Sequence, residues 1–328
     1  MPLLIAIALA LLLAPASGWV GARAGLVDRP GPGDPSGLKI HARPVPLLGG
    51  AAVAAAAALT AQPPLWVLAS VAVGFGTGLL DDVRPLPPWV RIVLLGAAGA
   101  LLAAAGDLDG LLGPFAFPAV VFLVLACTNG VNLLDGQDGL AGGVAAAGAA
   151  GFAGIAQAAG AVATAELGLA VSGAALGFLF WNRPPARIFL GNSGAYAVGV
   201  LLAALATGAV DAGGWPAVPA AAMCLAVPAF EIGFTVVRRV TAHTSLTVGD
   251  RSHSYDLVAI EVGSRPWSTA IFVAASVVLA AAGAATFTAP VAVSAAVVVA
   301  TAVGSAMWSS RLWARRAEVS HQQKGVSP

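Results

Sequence analysis

Eleven apolar stretches decide what this chain can become, because the charged residues between them are sorted by side. The stretches run over roughly 1–22, 45–60, 65–80, 89–105, 114–128, 140–159, 163–180, 195–210, 217–237, 267–287 and 290–308. All 16 Lys and Arg residues fall in alternate gaps or, for Arg91, at the near edge of the stretch that follows one. These hold Arg23, Arg29, Lys39 and Arg43; Arg84 and Arg91; Arg183 and Arg187; Arg238, Arg239, Arg251 and Arg265; then Arg311, Arg315, Arg316 and Lys324. The opposite gaps and their edges carry Asp107, Asp109, Glu166 and Asp211 and no basic residue. Only 9% of residues are charged and 59% are hydrophobic, against about 25% charged in an ordinary soluble domain.

The expected fold is all-α and polytopic, with about eleven transmembrane helices, several shorter than the roughly 20 residues a perpendicular crossing needs. Abundant Ala and Gly favour close helix packing. Because basic loops stay inside, the N-terminus is expected outside and the C-terminus in the cytoplasm. One transmembrane domain over 1–310 is followed by a basic cytoplasmic tail, 311–328, suited to lipid headgroups. Residues 1–18 lack the basic start of a secretory signal and precede a basic loop, so they read as the first span. Cys127 and Cys224 lie in apolar runs and read as buried thiols. Nothing points to nucleic acid.

The most unusual polar stretch is Thr128–Gly143, TNGVNLLDGQDGLAGG, where Asn129, Asn132, Asp135 and Asp138 recur every third residue among glycines. On a straight helix nine residues turn through about 900°, setting Asn129 and Asp138 on opposite faces. The glycines allow a tight turn that gathers oxygens and amides on one ligand. Asp81 and Asp82 end another span, where two carboxylates oppose the helix dipole and each other. They need a cation, either a metal or a side chain such as Arg84 or Arg91. Gly191–Gly194 opens a later span, and free amides there suit an anion unless Asn192 or Ser193 simply caps the helix. Lys39, His41 and Arg43 form either a solvated basic loop or an anion-facing one. Glu231 is an acid within a span.

These groups lie in loops at about 23–46, 81–91, 129–139, 182–194 and 238–266, all on the expected cytoplasmic side. Oxygen donors beside arginines suit Mg²⁺ bridging a diphosphate. With lipid alongside, the natural chemistry is phosphoryl transfer between a soluble nucleotide and a membrane lipid.

At this point the residues resemble a known family, the polyprenyl-phosphate N-acetylhexosamine-1-phosphate transferases of glycosyltransferase family 4, relatives of phospho-N-acetylmuramoyl-pentapeptide transferase. LLDDVRPLPPWVR is similar to its paired-aspartate segment, and NGVNLLDGQDGLAGG to its N-x-x-N-x-x-D-G-x-D-G-L-A stretch. HARPVPLLGG resembles its first-loop motif, FLGNSGAYAVG its F-x-G-D-x-G-S segment, and GDRSHSYDLV its histidine cluster. The resemblance implies transfer of a sugar 1-phosphate from a UDP-N-acetylhexosamine to a polyprenyl phosphate, releasing UMP, in cell-envelope glycan synthesis. It implies Mg²⁺, with Mn²⁺ as a substitute, and leaves a homodimer open. It further implies catalytic Asp81 and Asp82, and metal contacts from Asn132, Asp135 and Asn192. Asn129, Asp138, Gly139, Arg91, Arg251 and His253 would meet the nucleotide sugar, and Lys39, His41 and Arg43 the lipid phosphate. Localisation would be the cell membrane, with the active site on the cytoplasmic face.

Two departures stand out. Asn192 replaces the family's aspartate and Ala195 its serine, and the histidine cluster is reduced to His253 with Tyr255 and Asp256. A neutral residue at 192 weakens metal binding unless another carboxylate compensates. A non-catalytic or altered-specificity homologue is the alternative. A secondary transporter is a weaker one, since the polar groups cluster at one face rather than at the midplane.

Overall fold

The structure is a computed structural model that describes residues 1–29, 43–104, 106, 108–247 and 249–324, with side chains to 311. Lys39, His41 and Asp107 therefore lie outside the described residues. Each apolar stretch forms helix. In order these are α1 (Pro2–Arg23), α2 (Gly49–Ala61), α3 (Leu65–Val83), α4 (Pro88–Ala103), the short α5 (Asp109–Leu112) and α6 (Ala116–Leu134). Then come α7 (Leu140–Ala158), α8 (Val162–Asn182), α9 (Gly191–Gly213), α10 (Ala217–Cys224), α11 (Ala226–Thr241), α12 (Ser254–Glu261), α13 (Arg265–Thr286) and α14 (Val291–Lys324). A two-stranded antiparallel ribbon, β1 (Val27–Asp28) with β2 (Val45–Pro46), brackets the first basic loop. Within a membrane every backbone group must be bonded inside its own segment, which is why helices dominate.

By length and composition, eight helices can cross a membrane, or nine if the pair α10 and α11, bent by 68°, counts as one span. α2 and α4 are apolar but only 13 and 16 residues long. α14 stays helical through 311–324, into the stretch expected to be a tail.

Small residues set the packing. α1 buries Ala6, Ala10, Ala14 and Gly18, one per turn. Against that stripe sit Gly173 and Gly177 of α8, where an added Cβ would lie 2.3 Å from the Leu3 carbonyl oxygen and 2.5 Å from that of Ile7. Helices that approach this closely bond by dispersion rather than by a hydrophobic effect, which lipid does not supply. α9 is central, with 89% of its most apolar window buried, whereas the figure for α14 is 6%.

α9 also begins where the chemistry gathers. Gly191, at φ 75°, lets the chain turn sharply into the helix. Gly50 of α2 and Gly78 of α3 then allow backbone-close contact with its first turn.

Candidate active site

The end of α3 meets the start of α9. Asp82 accepts the Asn192 N–H at 2.9 Å on one carboxylate oxygen and the Ser193 N–H at 3.0 Å on the other. The amides of the α9 N-terminus, expected to be free for an anion, are thus occupied by a carboxylate of the chain itself. The helix dipole and two charge-assisted bonds favour this arrangement. Asp81, next along, is buried. One of its oxygens accepts the Leu86 N–H at 2.7 Å. The other faces Asn192 Nδ2 at 3.2 Å, the Tyr196 hydroxyl at 3.3 Å and Arg91 Nη1 at 3.5 Å. Arg91, rather than the adjacent Arg84, pairs with Asp81. Arg84 ends α3 in extended backbone and is exposed.

Residues 129–139 correct the expectation of a single gathered turn. α6 remains helical through Asn129 and Asn132 to Leu134, and only Asp135–Gly139 turns. Gly130 serves packing, since a Cβ there would come within 2.9 Å of Pro228 on α11. Asn132 donates to Asn192 Oδ1 at 2.7 Å and so joins the site. Asn129 does not join it, being exposed and donating back to the Leu125 carbonyl.

Asp135 follows the last residue of α6; burial, reinforced by the charges of Asp82 and Asp138 and opposed by the nearby Gly191 backbone, pushes its carboxyl well above the ordinary range. Asp138 accepts the Ala186 N–H at 2.9 Å, and the Gly139 N–H donates to Asn182 at 3.0 Å, so the turn is fastened to the loop after α8.

The other basic residues hold backbone. Arg251 donates to the Gly136 carbonyl at 2.9 Å and lies 2.6 Å from Asp256, while the Tyr255 hydroxyl donates to the Leu133 carbonyl. His253 stacks on Tyr255 with ring centroids 5.2 Å apart and has Nδ1 2.8 Å from Glu231. Glu231, fully buried, also receives the Ser254 hydroxyl and that of Thr235. The intramembrane acid is therefore satisfied by polar neighbours. Arg43 is exposed just before β2.

Asp250 staples the loop after α11, taking both of its oxygens to Arg238 at 2.8 Å, with Arg239 at 3.3 Å. Burial alone raises the Asp250 carboxyl, but Arg238, the Ser252 N–H and Arg239 outweigh it and hold it below 3.8. A lowered carboxyl contributes stability above its unfolded value and loses it as pH falls through the lowered one. Limited proteolysis should find residues 242–253 more readily cut on acidification into that range. Asp250→Asn should show the same sensitivity at neutral pH.

Tyr196 and Tyr255 were not singled out as site residues by their spacing, yet they are the chain's 2 tyrosines and both hydroxyls bond at this end of the bundle. Their rarity in so apolar a chain is the signal that could have found them.

Fold and site together define a polytopic α-helical membrane protein with an acid- and carboxamide-lined polar end. Residues 64–210 match the model of glycosyl transferase family 4. The chain is 28% identical over 263 residues to the probable undecaprenyl-phosphate N-acetylglucosaminyl 1-phosphate transferase of Bacillus subtilis, covering 74% of this chain and 72% of that protein. It is 26% identical over 237 residues to the undecaprenyl-phosphate alpha-N-acetylglucosaminyl 1-phosphate transferase of Thermotoga maritima, covering 72% and 74%. A 98-residue segment is 43% identical to the phospho-N-acetylmuramoyl-pentapeptide-transferase of Synechococcus, 27% of that protein's length. The similarity to glycosyl transferase family 4 thus lies over residues 64–210.

Proposed function

We propose that the protein transfers N-acetylhexosamine 1-phosphate from a UDP-sugar to a polyprenyl phosphate, giving the lipid diphosphate sugar and UMP. The observation that carries this reading is the meeting of Asp81, Asp82, Arg91, Asn132, Asp135 and Asn192 at the start of α9, from positions up to 111 residues apart. The names of the Bacillus and Thermotoga relatives supply the substrate class. The positive-inside rule supports a reading of eleven crossings, with α2, α4 and the bent α10–α11 each spanning once and the basic loops and this site facing the cytoplasm. A nucleotide sugar is available there.

The residues fit a divalent cation. Asp135 is held above its ordinary range by burial and by two neighbouring carboxylates, a cost that a cation relieves. Among the described residues no group of three or more Asp, Glu, His or Cys side chains could hold a metal ion, so Mg²⁺ here would depend on the carboxamides, waters and phosphate oxygens for the rest of its ligands. Asp82 and Asp135, with the carboxamides Asn132 and Asn192, would hold it. When bound, the ion neutralises and orients the diphosphate.

The chain's own groups do the rest. Arg91, held on Asp81, presents a second cationic group at the same surface. The turn Asp135–Gly139, fixed by Arg251, Tyr255 and Asn182, offers Asp138 to the nucleoside. In the reaction an oxygen of the lipid phosphate forms a bond to the phosphorus next to the sugar, and the bond from that phosphorus to the UMP oxygen breaks. A phosphate monoester loses its second proton near pH 6, so no strong base is required. Catalysis rests on position and electrostatics. An apolar groove of 780 Å³ between α10–α11 and α14, lined in part by Phe230, Phe234, Val237, Val298 and Ala302, suits a prenyl chain.

The test is purified protein in detergent with polyprenyl phosphate, Mg²⁺ and a panel of UDP-sugars. UMP release that requires all three components is expected. Absence of UMP with every sugar, beside an active relative, rejects the enzyme in favour of a ligand-binding homologue.

A further inference from the structure

The paired aspartates are not equivalent. Asp81 has one oxygen on the Leu86 N–H and the other facing three donors, Asn192 Nδ2, the Tyr196 hydroxyl and Arg91 Nη1. A carboxylate offers about four acceptor positions, and four donors face this one, three of them crowded on a single oxygen. Its side chain is 5% exposed. Asp82 takes a single backbone N–H on each oxygen, two donors against the four that face Asp81, and no side-chain cation.

We propose that Asp81 is an anchor outside the metal shell, and that Tyr196 and Asn192 are positioning residues that hold it. Through Asp81 they aim Arg91 at the site and leave Asp82 and Asp135 as the carboxylates that meet the cation. This rests on the transferase reading for the presence of a cation.

The chemistry of position 192 is part of the device. Asn192 donates to Asp81 and accepts from Asn132; a carboxamide can do both, whereas an ionised aspartate can only accept. An aspartate there would place a second carboxylate against Asp81 and lose the donor. Tyr196 is buried, and its hydroxyl is the only part that reaches Asp81. Removing that oxygen alone, as in Tyr196→Phe, keeps the ring in place. The lesion is then confined to one bond on Asp81.

The experiment measures Mn²⁺ binding to the purified full-length protein by electron paramagnetic resonance, without substrates, alongside KM and kcat. Asp82→Asn should weaken Mn²⁺ binding at least tenfold. Asp81→Asn and Tyr196→Phe should leave it within about threefold. Tyr196→Phe should raise KM for the UDP-sugar severalfold, since Arg91 is less firmly aimed, and added to Arg91→Ala it should change little beyond Arg91→Ala alone. Thermal melting in detergent checks that each variant is folded.

If Asp81→Asn weakens Mn²⁺ as much as Asp82→Asn does, Asp81 is a ligand and the proposal is overturned. It is equally overturned if Tyr196→Phe leaves every kinetic constant unchanged. Wild-type protein that turns over substrate without binding Mn²⁺ removes the metal premise and the proposal with it. Tight Mn²⁺ binding with no turnover of any UDP-sugar rejects the transferase reading, while the Asp81–Asp82 contrast still decides this one.

Discussion

Asp82→Asn should reduce turnover by at least ~100-fold, the order lost when one preorganised electrostatic group is removed from an active site. The carboxylate receives two backbone N–H groups at the start of α9. A carboxamide can accept one of them but presents an NH₂ to the other. Hydrogen bonds to a charged group are worth about 1.5–3 kcal/mol each, so the first turn of α9 should also loosen. Both consequences fall on Gly191–Ser193, which carries Asn192 to Asn132 and Asp81. Initial rates of UMP release, with thermal melting of the same preparation, separate the two effects. A near-wild-type rate would remove Asp82 from the mechanism.

Gly78→Ala should be nearly as damaging, although the residue bears no functional group. A Cβ at Gly78 would lie 2.3 Å from the Asn192 carbonyl oxygen and 2.4 Å from the Ser193 Cα. Those are backbone atoms and cannot rotate aside. The helix itself would gain up to about 1 kcal/mol from losing a glycine, but overpacking costs typically 1–3 kcal/mol and here it pushes on the two amides that Asp82 holds. The clash should win, with a lower melting temperature and at least a ~10-fold loss of rate. Gly76, on the same helix, has nothing within 4 Å of a Cβ. Gly76→Ala should therefore be neutral or slightly stabilising. If both variants behave alike, the close approach of α3 to α9 is not what sets the site.

The helices were legible because apolar stretches broken by Pro, Gly and sorted charge leave the backbone little alternative in a membrane. The position of the polar end was legible for the same reason, since Asp81–Asp82, Asn132, Asp135 and Asn192 all sit beside basic loops. What spacing could not convey was who bonds to whom. Arg84 lies two residues after Asp82 in sequence, yet Arg91 reaches Asp81 because α4 turns back across the end of α3. The three-residue spacing from Asn129 to Asp138 suggested one turn. The helix instead persisted to Leu134, since its own backbone bonds outweigh a gathering of side chains, and Asn129 was left on an exposed face. The α9 amides looked free only because their partner, Asp82, lies 110 residues earlier. Glu231 could not be paired with His253 from sequence, as 22 residues and the bend into α12 separate them.

The departure at position 192 acquires a physical sense from these contacts. A neutral residue there fits between Asn132 and Asp81, donating to one and accepting from the other, beside the carboxylate of Asp82. The site that results remains suited to a phosphosugar transfer.

The most direct measurement follows the phosphate. UDP-N-acetylhexosamine radiolabelled in the phosphate next to the sugar is incubated with the purified protein, Mg²⁺ and polyprenyl phosphate, then partitioned between organic and aqueous phases. Label should appear in the lipid phase together with the sugar, in equal amounts to the unlabelled UMP released into water. Label retained in the nucleotide, with sugar alone reaching the lipid, would contradict transfer of a sugar 1-phosphate.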